Sequence, residues 1–308
     1  TMGTAGSSTV TGGSDADIVA VRSTAAGSTT QINGAGGDDL VLLGSAAAVD
    51  TAARTGSATG GSASSLRGRV NVDGGAGADR VVVDNTGDAV AASVTLAASE
   101  LTGLGLGAGI GFSNLGASDD GLLVQLGDGA NTVLVTGLQG GARARIVGGA
   151  AADQFQLGST TLAQVADLLT VSGGGGDDAL RMDNSGSPAA GAGTLSGGRL
   201  TGFGMGGADA AIKGLRFDGF EDVSLVLGTG ADSLTVQGTD AAVRQTTVST
   251  GGGGDSVALG TDLAALRSQL TVQGDAGTVV NIDVTAQTAL TIARTAAGQG
   301  VLTDAAVV

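Results

Sequence analysis

Eight times along the chain a glycine-rich run ends in a carboxylate, or a close polar substitute, and passes into an alternating apolar stretch. The fullest copies read GGAGADRVV at Gly74–Val82 and GGGGDDALR at Gly173–Arg181. Looser copies are GGSDADIVA (Gly12–Ala20), GAGGDDLVL (Gly34–Leu42), GDGANTVLV (Gly127–Val135), GGAAADQFQL (Gly148–Leu157), GTGADSLTV (Gly228–Val236) and GGGGDSVAL (Gly251–Leu259). Carboxylates set among turn carbonyls are the hard oxygen donors that Ca2+ takes. The doublets Asp38–Asp39 and Asp177–Asp178 are the first candidates for such a site, with Asp79 and Asp232 next. If the copies stack, aspartates at one corner crowd together, and two bare charges about 5 Å apart repel by roughly 3 kcal/mol at an effective dielectric of about 20. A cation would relieve that repulsion. The competing reading is that each aspartate holds its own turn through backbone amides and binds nothing.

Little else in the chain can do chemistry. There is no His, Cys, Tyr or Trp, and Lys213 is the single lysine. Serines are numerous, but none has a histidine to activate it. Paired carboxylates could serve a glycosidase, yet Asp119–Asp120 and Glu221–Asp222 occupy similar places in a longer repeat and read as a loop feature. Catalysis is not expected. Nucleic acid wants a basic footprint and stacking aromatics, and this chain has 29 acidic against 14 basic residues, a net charge of −15. Without cysteine there are no disulfides or thiolate metal sites. No apolar run approaches the ~20 residues of a membrane span. The start, TMGTAGSST, shows no basic region followed by an apolar run, so no cleaved leader is expected there.

The elements that position these aspartates follow from spacing. Aligned on their sixth position, the copies fall at Asp17, Asp39, Asp79, Asn131, Asp153, Asp178, Asp232 and Ser256, with Val279 a degenerate ninth. Separations cluster near 23 and near 53. The shorter predicts one rung of a coiled stack; the longer predicts two rungs, the second without the glycine phrase. A longer period sits above this one. DNTGDA at Asp84–Ala89 returns as DNSGSP at Asp183–Pro188, and LTGLGLGAG at Leu101–Gly109 returns as LTGFGMGGA at Leu200–Ala208, both 99 residues on. The chain therefore divides into divergent rungs over 1–83, super-repeat copies over 84–182 and 183–282, and a tail, 283–308, expected to be a cap or assembly strand.

Glycine supplies the positive φ and close approach that tight corners need. The strands after the corners alternate, with Val81 and Val83, Val133 and Val135, Leu234 and Val236 expected on one face. Alternation implies one inner core and an outer face toward water. TLAQVADLL (Thr161–Leu169) and TDLAALRSQL (Thr261–Leu270) are exceptions, each a short helix or a bulge. Glycine is 59 of 308 residues while hydrophobic residues reach 42%, far from the low-hydrophobicity signature of disorder. A thin stack of small and branched aliphatics, about 12 or 13 rungs and on the order of 60 Å long, fits this composition. Phe112, Phe203, Phe217 and Phe220 are expected in its core.

The phrase G-G-x-G-x-D-x-(aliphatic)-x resembles the nonapeptide of the RTX, hemolysin-type calcium-binding repeat proteins. Gly74–Val82 and Gly173–Arg181 match each fixed position. Over roughly Asp73 to Gly277 the chain also resembles the degenerate repeats of long bacterial surface proteins. The resemblance implies a right-handed parallel β-roll, Ca2+ clasped between neighbouring turns, and export to a bacterial surface. The motifs here depart from the tandem pattern: Asn131 has lost the charge, the acid near Ser256 lies one position earlier at Asp255, and Ala35 and Ala151 replace glycines. The resulting expectation is an all-β, elongated, right-handed parallel β-solenoid. Its role would be a non-enzymatic extracellular structural protein of a surface, filament or matrix, self-assembling and stabilised by Ca2+ at Gly-Asp turns. The alternatives are a spacer fragment of a giant RTX-type adhesin and, least favoured, a carbohydrate-active enzyme.

Overall fold

The computed structural model describes residues 6–116, 120–206, 213–260 and 262–282. The first strands are β1 (Ser7–Thr11), β2 (Ile18–Val21), β3 (Thr29–Asn33) and β4 (Leu40–Leu43). A hairpin of β5 (Ala48–Asp50) and β6 (Thr55–Ser57) precedes β7 (Arg69–Asp73) and β8 (Arg80–Asp84). Then β9 (Ser93–Ala97), β10 (Glu100–Gly103) and β11 (Ile110–Ser113) make an antiparallel meander. The next six are β12 (Leu122–Gln125), β13 (Thr132–Val135), β14 (Ala144–Val147), β15 (Gln154–Leu157), β16 (Leu168–Ser172) and β17 (Ala179–Asp183). A second meander, β18 (Ala192–Gly197), β19 (Arg199–Gly202) and β20 (Gly214–Asp218), leads to β21 (Asp222–Val226), β22 (Ser233–Thr239), β23 (Gln245–Ser249), β24 (Ser256–Leu259), β25 (Gln269–Gln273) and β26 (Val279–Ile282).

The protein is all-β, and its strands fill two long, mainly parallel sheets of 12 strands each. The first runs β1-β3-β7-β11-β10-β9-β13-β15-β17-β21-β23-β25; the second runs β2-β4-β8-β12-β14-β16-β20-β19-β18-β22-β24-β26. At about 4.8 Å per strand each sheet is about 55 Å wide. Outside the meanders the chain crosses from one sheet to the other with every strand, so β1 stacks on β3 and β2 on β4. Alternation explains the shared core. Val81, Val83, Val133, Val135, Leu234 and Val236 all point inward and are at most 1% exposed. All six belong to one continuous cluster fed by both sheets, which also holds Phe112, Phe203, Phe217 and Phe220. Phe155 meets Phe220 edge-on, with ring centroids 5.2 Å apart.

Three features differ from the sequence reading, and one interval that fits neither of its spacings is resolved. Between Asp39 and Asp79, β4 pairs directly with β8, and the β5–β6 hairpin loops outward between them. The longer intervals each contain an antiparallel meander. The single inner core has a companion, because the hairpin covers the outer face of the second sheet and buries Leu42, Ala47, Ala58 and Val82 in a separate cluster. The segment at 161–167 is turn rather than helix, and near 262 only the 3-10 turn Leu263–Ala265 forms, capped by Asp262. Thr261 and the tail 283–308 lie outside the described residues.

The repeated words have repeated structures. Gly103, Leu104 and Gly105 all take positive φ after β10, and Gly202, Phe203 and Gly204 do so after β19. Asn85 accepts the Ala63 N–H at 2.9 Å, and Asn184 accepts the Leu162 N–H at 3.1 Å. β9 to β17 thus correspond, strand for strand, to β18 to β26. Each run has nine strands, so corresponding strands fall in opposite sheets.

Candidate functional site

The Gly-Asp phrases form corners, each just before a strand. Asp17, Asp39 and Asp79 precede β2, β4 and β8 on the second sheet; Asn131, Asp153 and Asp178 precede β13, β15 and β17 on the first; Asp232 and Asp255 precede β22 and β24 on the second. At the corners after Asp17 the side chain accepts a backbone N–H from the matching position one rung earlier. Asp17 N–H donates to Asp39 Oδ1 at 2.8 Å, and Asp39 N–H to Asp79 Oδ1 at 2.8 Å. Asn131 N–H donates to Asp153 Oδ1 and Asp153 N–H to Asp178 Oδ1, both at 2.6 Å. Asp178 N–H donates to Glu221 Oε2 at 2.7 Å, and Asp232 N–H to Asp255 Oδ1 at 2.8 Å. The ladder settles the register of the last copy: Asp255, not Ser256, aligns with Asp232, and Thr278, not Val279, stands opposite Asp255, since Ser256 pairs with Ser233 and Val279.

The second carboxylate oxygen divides the copies. In Asp17, Asp153 and Asp232 it accepts the N–H four residues earlier, from Gly13 (2.7 Å), Gly149 (3.0 Å) and Gly228 (2.9 Å). Asn131 uses its amide instead, donating Nδ2–H to the Gly127 carbonyl at 2.9 Å. In Asp39, Asp178 and Asp255, Oδ2 is buried with no hydrogen-bond partner among the described residues. Here the residue four earlier has positive φ: Ala35 at 75°, Gly174 at 101° and Gly251 at 79°. Rotation about N–Cα swings that N–H away from the carboxylate. The leading glycine has a different job. A Cβ on Gly173 would lie 1.9 Å from the Gly219 carbonyl oxygen and 2.6 Å from Asp178 Oδ2, so the corner needs an atom-free flank there.

Asp39, Asp79, Asp178 and Asp232 are therefore buried, at 4%, 2%, 1% and 2% exposure, and engaged with backbone. Asp38 and Asp177 are exposed on the other side of the chain. Asp38 accepts the Ala78 N–H at 2.8 Å, and Asp177 faces Arg244 at 3.6 Å. The doublets do not close around a common point. Among the described residues no group of three or more acidic, His or Cys side chains is placed to hold a metal. Burial, reinforced by the charges of Asp153, Glu221 and Asp177, pushes the Asp178 carboxyl up to about 6. Burial and the charges of Asp39, Asp38 and Asp73 also raise Asp79, against the Asp39 N–H that favours its charged form.

One buried carboxylate went unnoticed in the sequence. Asp167 accepts N–H groups from Gly141 and Leu168, each at 2.7 Å, and faces Lys213 at 3.4 Å and Arg143 at 3.7 Å. Burial works against its charge, but those donors and Lys213 hold its carboxyl below the usual range. It sits outside the glycine phrase, and only its distance from the repeat words could have marked it as different. Of the paired carboxylates, Asp120 faces Arg80 at 3.7 Å and Asp222 binds Arg244 at 2.6 Å; Asp119 lies outside the described residues. A shallow groove of about 340 Å³ crosses the outer face of the first sheet beside Gln154, Arg181, Asp222 and Gln245. No helix among the described residues is long and apolar enough to cross a membrane.

Comparison with protein-family models, curated proteins and solved structures gives no match for this chain.

Proposed function

We propose that the chain is a non-enzymatic structural module: a right-handed parallel β-solenoid acting as a stiff rod of an extracellular bacterial surface, filament or matrix. The observation that carries this reading is the pair of 12-stranded sheets around one unbroken core. The backbone ladder runs the full width of both sheets, and the aspartates act as corner struts. Among the described residues, β1 and β2 at one end and β25 and β26 at the other have one neighbour each. Open parallel edges are templates for further strands. Both ends present the same phase, first sheet then second, so a following rung from a second copy or from more of the same chain fits without a shift. That phase matching favours end-to-end assembly and, equally, a spacer role within a giant RTX-like adhesin.

Electron microscopy with sedimentation velocity tests the proposal. Ordered polymers support the filament reading and isolated rods the spacer. Compact, unelongated particles would sink both. Ca2+ enters as a stabiliser: the unsatisfied Oδ2 atoms of Asp39, Asp178 and Asp255 are the acceptors a cation would complete. Unchanged circular dichroism and melting in chelator would remove that part alone.

A further inference from the structure

The outer face of the second sheet carries a line of cations in an otherwise acidic chain. Register places Arg145 of β14 beside Thr170 of β16, Thr170 beside Arg216 of β20, and Arg216 beside Arg199 of β19. All four point outward, because their neighbours Ile146, Val171, Leu215 and Leu200 fill the core. Arg145 and Arg216 are two strands apart, about 9.6 Å. Neither makes a hydrogen bond or ion pair among the described residues, and Arg145 Nε is buried with no acceptor. Two of the acids nearby are already paired with other cations, and a third accepts a hydroxyl. Asp120 faces Arg80, Asp167 faces Arg143 and Lys213, and Asp218 accepts the Ser172 hydroxyl at 2.5 Å. Along the same column the preceding outward residues, Leu42, Val82 and Leu123, are apolar and packed with the β5–β6 hairpin, so the cationic stretch starts where that cover ends.

We propose that this strip binds an acidic polysaccharide lying along the axis of the sheet. Guanidinium forks match carboxylate and sulfate oxygens in bidentate geometry. Arg145 and Arg216, two strands apart, are spaced roughly as the acid groups of a glycan with one charge per disaccharide, and Thr170 between them offers a hydroxyl to the intervening sugar. Charge complementarity selects this face, since the chain as a whole, at −15, repels polyanions. The proposal is independent of the structural role above: a rod can be assembled with or without a glycan on its flank.

The test is calorimetric titration of the full chain with uronate oligosaccharides and with sulfated oligosaccharides, against a neutral dextran of the same length, at low and high salt. Binding of at least one acidic series, absent for dextran and weakening with salt, is expected. The double variant Arg145→Gln with Arg216→Gln should lose about tenfold or more in affinity. Arg216→Lys, which keeps the charge but not the fork, should fall between. Arg67→Gln, remote from the strip, should bind as wild type, and melting curves confirm that each variant is folded. No acidic oligosaccharide bound at low salt, or equal loss in Arg67→Gln, would overturn the proposal. Self-association that the double variant abolishes without any glycan would overturn it too, by showing that a second copy occupies the strip.

Discussion

Replacing Asp178 by Asn should stabilise the protein at neutral pH. Asp178 is 1% exposed, its Oδ2 has no partner among the described residues, and Asp153, Glu221 and Asp177 surround it with like charge. Its carboxyl is raised from 3.8 to about 6. A raised folded value means that stability is fully present below the unfolded value and is lost as pH rises through the folded one. Ionised Asp178 therefore costs up to about 3 kcal/mol above pH 6, and roughly half that once solvent screens the exposed neighbours. Asn removes the charge and keeps Oδ1 for the Asp153 N–H. Its amide can donate to a turn carbonyl, as Asn131 does at the equivalent corner two rungs away. Thermal melts in chelator should show wild type rising in midpoint from pH 7.5 to pH 5, and Asp178→Asn already high at pH 7.5 by roughly 2 °C. Asp79, raised in the same direction, adds to the residual pH dependence. If Asp178→Asn instead melts lower at pH 7.5, the ionised carboxylate is needed there, and the reading of the corner as a strained, self-sufficient strut fails. Repeating the melt in Ca2+ then says whether a cation supplies the missing partner.

Three further outcomes follow from the same geometry. Gly173→Ala should cost about 3 kcal/mol by driving a Cβ into the Gly219 carbonyl, while Gly140→Ala, with nothing within 4 Å of the added carbon, should melt as wild type. Asp167→Ala should cost about 3 kcal/mol at pH 7 by stranding two N–H groups and two cations; its carboxyl is lowered, so the difference from wild type should shrink in acid melts as pH falls below 3.8. Deleting 84–182 should leave a folded protein in which β20 takes the place of β11 beside β7; cysteines placed at Asn71 and Arg216 should then form a disulfide in the deletion and not in the full chain, where β20 pairs with β16.

The corners were legible because glycine is the residue best suited to positive φ and the one that fits where a carbonyl approaches the α-carbon. Gly75, Gly77, Gly174 and Gly176 meet the first condition and Gly74 and Gly173 the second, so the phrase survives in its strictest form where those demands coincide. The inward faces were legible from alternation. The meanders were not, because a strand in an antiparallel insert alternates just as a parallel one does, and pairing direction leaves no period of its own. Their trace was the word L-T-G-L-G, whose three successive left-handed residues reverse the chain after β10 and β19. The second core was visible in retrospect: LVLL at 40–43 and VVV at 81–83 break the alternation because both of their faces are covered. The direction of the aspartate bonds was hidden for another reason. The carboxylates reach the neighbouring rung with Oδ1; whether Oδ2 also caps the residue's own turn depends on one φ angle four residues away, and at Ala35 the residue type does not announce it.

The odd strand count of the super-repeat resolves a difficulty that the meanders create. A meander adds three strands to one sheet at a place where a plain rung would add one. A single meander would leave one sheet two strands wider than the other and shear the two across the core. Between the meanders this offset is present: β13 is the seventh strand of its sheet, whereas β14, next in the chain, is the fifth of the other. Nine strands per copy hand the second meander to the opposite sheet, which removes the offset and brings both sheets to 12. The same alternation moves the aspartate ladder from one corner to the other with each copy, so no column of carboxylates runs the whole width of the sheets. Longest among the described residues are runs of three motif positions, Asp17 to Asp79 and Asn131 to Asp178, and the second opens with a neutral amide. The structural period is thus two super-repeats rather than one, and it limits both the mismatch between sheets and the like charge stacked at any one corner.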